Sequence, residues 1–139
     1  MKYLLDTNIL SEMVKLKPHK SVAAWLESVP QEQLYISALT LAEIRKGIEK
    51  LQSGARRQKL LHWLETELAA WFHLHIIPVD SEVADKWGYL MAQTQRSLSA
   101  VDSLIAASAV THNLTLVTRN VADFKGIPAL EVLNPWDVL

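Results

Sequence analysis

Four acidic residues, Asp6, Glu43, Asp102 and Asp123, stand far apart along the chain, each where a short apolar run ends or a helical pattern begins. A carboxylate can serve as a helix cap, a general base or an oxygen ligand for a hard cation, and its surroundings decide which. Four of them in one place would repel one another and would require protons or a cation to coexist. The chain has no cysteine, so disulfides and thiolate metal sites are excluded. An all-oxygen set suits Mg²⁺ or Mn²⁺; Mg²⁺ keeps several of its waters and takes one or two carboxylates. Such an ion lowers the pKa of a bound water and neutralises charge gathering at phosphorus. Hydrolysis of a phosphodiester is the chemistry this residue set fits.

Each acid by itself has a plainer reading. Thr40-x-x-Glu43, Ser99-x-x-Asp102 and Asn120-x-x-Asp123 match or approach a helix capping box, and Asp6 reads as an N-cap. Carboxylates at helix N-termini gain roughly 0.3–1 kcal/mol each from the macrodipole. Taken singly, a cap is the better reading. A common location would reverse that, because caps chosen for stability are scattered over both ends of a sheet.

The elements that must position the acids are legible in the apolar pattern. Short runs at 2–5, 34–37, 76–79, 115–118 and 130–133 predict five strands, the last at an edge. Three- and four-residue apolar spacing predicts helices at 21–27, 40–50, 55–72, 81–95 and 103–111. Ser53-Gly54 marks a turn between the second and third of these. Strand and helix in alternation predict an α/β fold with a parallel sheet covered on both faces. No repeat, linker or low-complexity tract divides the chain, so a single domain over residues 1–139 is expected. In open parallel sheets, ligands bind beyond the carboxyl ends of the strands. Asp6 directly follows the first strand, Glu43 lies one helical turn past the second, Asp123 lies shortly after the fourth, and Asp102 opens the helix that feeds the fourth. All four acids are therefore expected on one rim.

Net charge is −1 and names no partner. The local distribution says more: from Arg45 to Lys59 six basic residues face one acid, Glu49, a density that attracts polyanions or simply solvates a helix face. Arg45 and Lys46 follow Glu43 on its helix and are candidates for a phosphate contact, as is Arg119. His73 and His75 lack a third ligand and read as surface or structural residues. Of the five tryptophans, Trp25 and Trp87 fall at core positions of their helices, whereas Trp63 lies off the apolar stripe and reads as partly buried. With no signal-peptide core and no apolar stretch of membrane-spanning length, a soluble cytoplasmic protein without membrane contact is expected.

The motifs resemble those of a known family. Leu4-Leu5-Asp6-Thr7-Asn8-Ile9-Leu10 resembles the opening motif of PIN domains, and Thr40-Leu41-Ala42-Glu43-Ile44-Arg45-Lys46-Gly47 their second. Asp102-Ser103-Leu104-Ile105-Ala106-Ala107 resembles the third and Thr118-Arg119-Asn120-Val121-Ala122-Asp123-Phe124 the fourth. Each motif is weak alone; four in order at these spacings are strong. The resemblance implies a three-layer α/β/α sandwich on a five-stranded parallel sheet, and its nearest subgroup is the VapC or FitB type, the toxin half of toxin–antitoxin pairs. It further implies an Mg²⁺- or Mn²⁺-dependent endoribonuclease, commonly a homodimer, neutralised by a small antitoxin of the VapB or FitA type and reaching operator DNA only through that antitoxin. Carried onto this chain, Asp6 and Asp102 become the metal ligands, Glu43 and Asp123 complete the acidic pocket, and Thr7, Asn120 and Thr118 support it. Asn120 and Asp123 compete for the fourth position, and the charged Asp123 is favoured. Water activated at this site would attack in line, leaving a 5′-phosphate and a 3′-hydroxyl. A pure binding role, as the partner of a DNA-binding antitoxin, is the competing reading. Phospho-aspartate phosphatases place a second acid two residues after the first, where this chain has Asn8.

Overall fold

In the computed structural model, which describes residues 1–73 and 75–137, five short strands form one sheet in the order β3-β2-β1-β4-β5. The strands are β1 (Tyr3–Leu5), β2 (Leu34–Ser37), β3 (Ile76–Ile77), β4 (Thr115–Val117) and β5 (Val132–Leu133). Every neighbouring pair is parallel, with Leu4 opposite Tyr35 on one side and Leu116 on the other. The helices are α1 (Thr7–Met13), α2 (Lys20–Ser28), α3 (Ala38–Glu49), α4 (Ala55–His62), α5 (Ala69–Trp71), α6 (Ser81–Gln93) and α7 (Ala100–Thr111). A π-helical stretch, Trp63–Leu68, joins α4 to α5, so the helix expected as one unit is three segments.

The two-residue period of the strands sorts the core into two layers. Leu4 and Leu116 point to one face and pack with Val83 and Leu90 of α6 and Ile105, Ala106 and Ala109 of α7. Leu5, Val117, Leu34 and Ile36 point to the other and meet Ile9 and Leu10 of α1, Trp25 of α2, Ile44 and Ile48 of α3, and Leu64 and Leu68. With both faces buried, the strands read as continuous apolar runs, as parallel sheets require. The expected three-layer α/β/α architecture is what the chain adopts.

Several boundaries moved for local reasons. The expected third strand stops at Ile77, because Pro78 has no N–H to donate to the ladder. The fifth begins at Val132, behind a turn in which Ala129 takes a positive φ of 64°. Helix α3 starts earlier than expected, capped by the Ser37 hydroxyl, which accepts from the Leu39 N–H at 3.0 Å. Helix α1 is absent from the apolar-spacing prediction, although the N-cap reading of Asp6 implies a helix there. Its signals are the cap residue Asp6 and the apolar set Ile9, Leu10 and Met13 at helical spacing. Trp25 is buried as expected, and Trp63 packs half-buried against the second core layer. Trp87 corrects the sequence reading: it is 36 % exposed, its indole N–H donating to the Ser103 hydroxyl at 2.8 Å.

Candidate active site

The sheet order reverses direction between β1 and β4, and the crevice beyond their carboxyl ends is where such folds place ligands. A cavity of about 370 Å³ opens there, and Asp6, Glu43 and Asp102 all line it. Three acids separated by tens of residues thus meet at one rim.

Asp6 is the most constrained. Its N–H donates to the Val117 carbonyl at 2.9 Å, extending the β1–β4 ladder by one residue and setting Asp6 beside Thr118. One carboxylate oxygen accepts from the Thr7 N–H at 2.8 Å, capping α1; the other accepts from the Thr118 hydroxyl at 2.8 Å. The side chain is 6 % exposed. Burial pushes its carboxyl above the usual range, and the negative charges of Asp102 and Glu43 push the same way, against the hydrogen bonds from Thr118 and Thr7. The three acids therefore share one electrostatic environment.

The capping readings resolve differently for each acid. Asp6 is both a cap and a cavity residue. At α3 the cap is Ser37, and the Glu43 carboxylate instead accepts from the Thr7 hydroxyl at 2.7 Å. Ser99 caps α7 by accepting from the Asp102 N–H at 3.1 Å, which uses the backbone of Asp102 and not its carboxylate. At Asn120 no side-chain cap forms; the Asp123 N–H donates to the Asn120 carbonyl at 3.0 Å within a 3₁₀ turn, Val121–Phe124.

That turn separates the two contenders for the fourth position. Asn120 lines the cavity; Asp123 is exposed and is not in its lining. A 3₁₀ helix turns about 120° per residue, so a residue three on returns to the same side but is displaced along the axis. Preference for the charged residue over its neighbour thus finds no support in the geometry.

Thr118 is a junction. Its hydroxyl donates to Asp6 and accepts from the Asn8 amide at 3.2 Å and from the Asn120 N–H at 3.1 Å, which occupies its whole hydrogen-bonding capacity. The Asn8 side chain also accepts from the Arg119 N–H at 3.3 Å. Segments more than a hundred residues apart are clamped together beneath the acids.

Of the basic candidates, only Arg119 lines the cavity. Arg45 pairs with Glu49 at 3.2 Å and Glu65 at 3.0 Å, and Arg57 pairs with Glu49 as well. Lys46 is exposed on α3, away from the cavity lining. The basic stretch is largely a solvated face, with Arg45 and Arg57 engaged by acids. His75 is structural, as expected: its Nδ1 bonds the Leu34 carbonyl at 2.8 Å and its ring stacks on Tyr35 at 4.3 Å.

Sequence reasoning missed Asn8, Ser11, Glu12, Lys15 and Trp136, which share the cavity wall. The first four follow each other at helical spacing along and just past α1, so recognising that helix would have exposed them. Trp136 carried no such signal.

The donor set fits a hard divalent cation. Asp6, Glu43 and Asp102 are all carboxylates, and burial with the two neighbouring charges leaves Asp6 short of compensating positive charge. Among the described residues no three acidic or imidazole side chains converge tightly enough to ligate one ion on their own. That agrees with an ion that takes one or two carboxylates directly and reaches the rest through water.

Comparison with known proteins gives the same picture. The PIN domain family model matches residues 3–129. The VapC ribonuclease Y4jK of Sinorhizobium fredii is 35 % identical over 137 residues, covering 96 % of this chain and 97 % of the relative. Toxin FitB of Neisseria gonorrhoeae is 36 % identical over 136 residues, with coverage of 96 % and 97 %. A solved structure of FitAB bound to an IR36 DNA fragment superposes with a TM-score of 0.92 at 34 % identity, covering 99 % of this chain and 97 % of the other. The strand order, the three-layer architecture, the four motifs and these relatives agree: the chain belongs to the PIN domain family.

Proposed function

We propose that this chain is a metal-dependent endoribonuclease and the toxin half of a toxin–antitoxin pair. The observation that carries the proposal is the meeting of Asp6, Glu43 and Asp102 in one cavity, with the Asp6 carboxyl pushed up by burial and by the other two charges. Asp6 and Asp102 would hold Mg²⁺, or Mn²⁺ in its place. When bound, such an ion supplies a water of lowered pKa and offsets charge at the phosphorus.

The side chains divide the remaining work. Glu43 orients the attacking water and takes its proton, with one oxygen steadied by the Thr7 hydroxyl. Thr118 positions Asp6, while Asn120 borders the cavity as a neutral polar group in the fourth position. Arg119 contacts a phosphate of the RNA. Water attacks phosphorus and the bond to the 3′-oxygen breaks, leaving a 5′-phosphate and a 3′-hydroxyl. Asp123 stays in the proposal only as a peripheral charge.

The antitoxin and DNA readings draw on the relatives. One of them is named a toxin, and the FitAB assembly is bound to DNA. We infer a small antitoxin of the VapB or FitA type, a homodimer, and contact with operator DNA through the antitoxin only. Residues 1–139 act as one domain in the cytoplasm; among the described residues no helix is long and apolar enough to cross a membrane. The DNA-bound FitAB structure also favours a second role, as the partner subunit of a complex that regulates transcription.

Incubating the purified chain with RNA in Mg²⁺, Mn²⁺ or excess EDTA tests the main reading. Cleavage that leaves 5′-phosphate ends, stops in EDTA and returns with Mg²⁺ is expected. Unchanged cleavage in EDTA, or full activity of Asp6→Asn, would sink it.

A further inference from the structure

The cavity that gathers the acids also has Lys15, Arg119 and Trp136 in its wall, and a metal site by itself has no use for them. The Arg119 guanidinium sits over the Trp136 ring, 5.2 Å from its centroid. Among the described residues Arg119 makes no ion pair, unlike Arg45 and Arg57. Lys15 keeps its ammonium near the wall through Glu12, at 2.9 Å.

The backbone that carries the indole is tied down. The Trp136 backbone N–H donates to the Asn134 side-chain oxygen at 2.9 Å, and the Asn134 amide donates to Asp137 at 3.1 Å. Pro135 between them is buried, and the Trp136 ring is half-buried against the second core layer. The wall thus presents a half-buried aromatic surface, a planar cation above it and a second cation. One nucleotide of a single strand offers their complements, a flat π face and an anionic phosphate. A cavity of about 370 Å³ is large enough for a ligand of that size. Stacking on aromatic side chains and on arginine planes is how unpaired bases are held, whereas paired bases hide their faces.

We propose that Arg119 and Trp136 form a base-stacking platform for the nucleotide beside the scissile phosphate, with Lys15 and Arg119 steering the backbone. The proposal rests on the ribonuclease reading for its biological sense, but its test does not. The platform favours unpaired RNA, because only there is a base free to turn onto the Arg119 plane and the indole beneath it.

The probe is a short fluorescein-labelled oligoadenylate, with Ca²⁺ in place of Mg²⁺, and binding is read by anisotropy. Trp136→Ala is expected to weaken binding about tenfold, the usual size of a lost base stack. Trp136→Phe should retain most of the affinity. On a strand with abasic riboses, wild type and Trp136→Ala should bind alike, since the phosphates remain and the bases are gone. If Trp136→Ala does not fold, Trp136→Leu keeps the bulk without the π face and carries the same expectation. In Mg²⁺, the loss of Trp136 should raise KM more than it lowers kcat. Equal binding of oligoadenylate by wild type and Trp136→Ala overturns the platform and leaves the wall to a protein partner. A defect that persists on the abasic strand also overturns it. A wild type that binds in this Trp136-dependent way but never cleaves would refute the ribonuclease reading and leave the platform standing.

Discussion

Helix α1 carries two carboxylates of nearly equal solvent exposure, Asp6 at its N-cap at 6 % and Glu12 in its last turn at 5 %, and the protein treats them in opposite ways. Glu12 accepts from the Lys15 ammonium at 2.9 Å and from the His19 N–H at 2.8 Å, and these hold its carboxyl below the usual range. Asp6 accepts only from neutral donors and faces Asp102 and Glu43, so burial and like charge push it up. Burial alone does not tell a structural acid from a chemical one; what balances the charge does. Glu12 is balanced within the chain. Asp6 is left short of positive charge, which is the condition a divalent cation corrects.

The largest effect that would break this contrast is on catalysis. Asp6→Asn or Asp102→Asn should reduce RNA cleavage to less than about one-hundredth, since loss of groups that merely support metal ligands costs about 10–100-fold. Gel-based cleavage assays with matched melting curves check this, and near-normal rates would refute the assignment. Next in size is Thr118→Val. It removes a donor to Asp6 and strands the Asn8 amide and the Asn120 N–H, so a 10–100-fold loss of activity and a cost of about 1–3 kcal/mol in stability are expected. Chemical denaturation measures the second figure.

The third sharpens the contrast through pH. In metal-free protein, Asp6 has a folded-state pKa above its unfolded value of 3.8, so its stabilising share is complete below that pH and is lost as pH rises through the folded value. Glu12 has the opposite sign: its share is present above 4.5 and is lost as pH falls through the lowered folded value. Melting curves in EDTA from acid to neutral pH should therefore show Asp6→Asn gaining on wild type as pH rises. Glu12→Gln should lose ground over the same range. Mg²⁺ should restore wild type and leave Asp6→Asn unmoved. Parallel curves for wild type and Asp6→Asn would mean that Asp6 carries no uncompensated charge. The smallest effect concerns the fourth position: Asp123→Asn should alter cleavage less than Asn120→Ala, and the reverse order would return the role to Asp123.

Much of this architecture was legible before any coordinates. The strands at Leu34–Ser37 and Thr115–Val117 and the helices around Ile44 and Ile105 show their periods directly, because both faces of a parallel sheet must be apolar. Helix α1 escaped notice because Asp6, Thr7 and Asn8 read first as a motif, and the seven residues from Thr7 to Met13 give less than two full turns of pattern. The basic candidates were less legible. Their place after Glu43 on one helix marked Arg45 and Lys46, yet Arg45 is engaged by Glu49 and by Glu65, twenty positions away.

The sequence by itself determined the alternation of strands and helices, the exclusion of thiolate from any metal site, and which acids stand at the ends of strands and the starts of helices. Those depend on residue type and local period, which are written along the chain. Only the tertiary structure decided which charges face one another. It joined Asp6 to Thr118 across the β1–β4 ladder, left Asp123 out of the cavity lining while admitting Asn120, and brought Lys15 and Trp136 to the same wall. Electrostatic coupling falls with distance through space, and distance through space is set by sheet order, which no local pattern records.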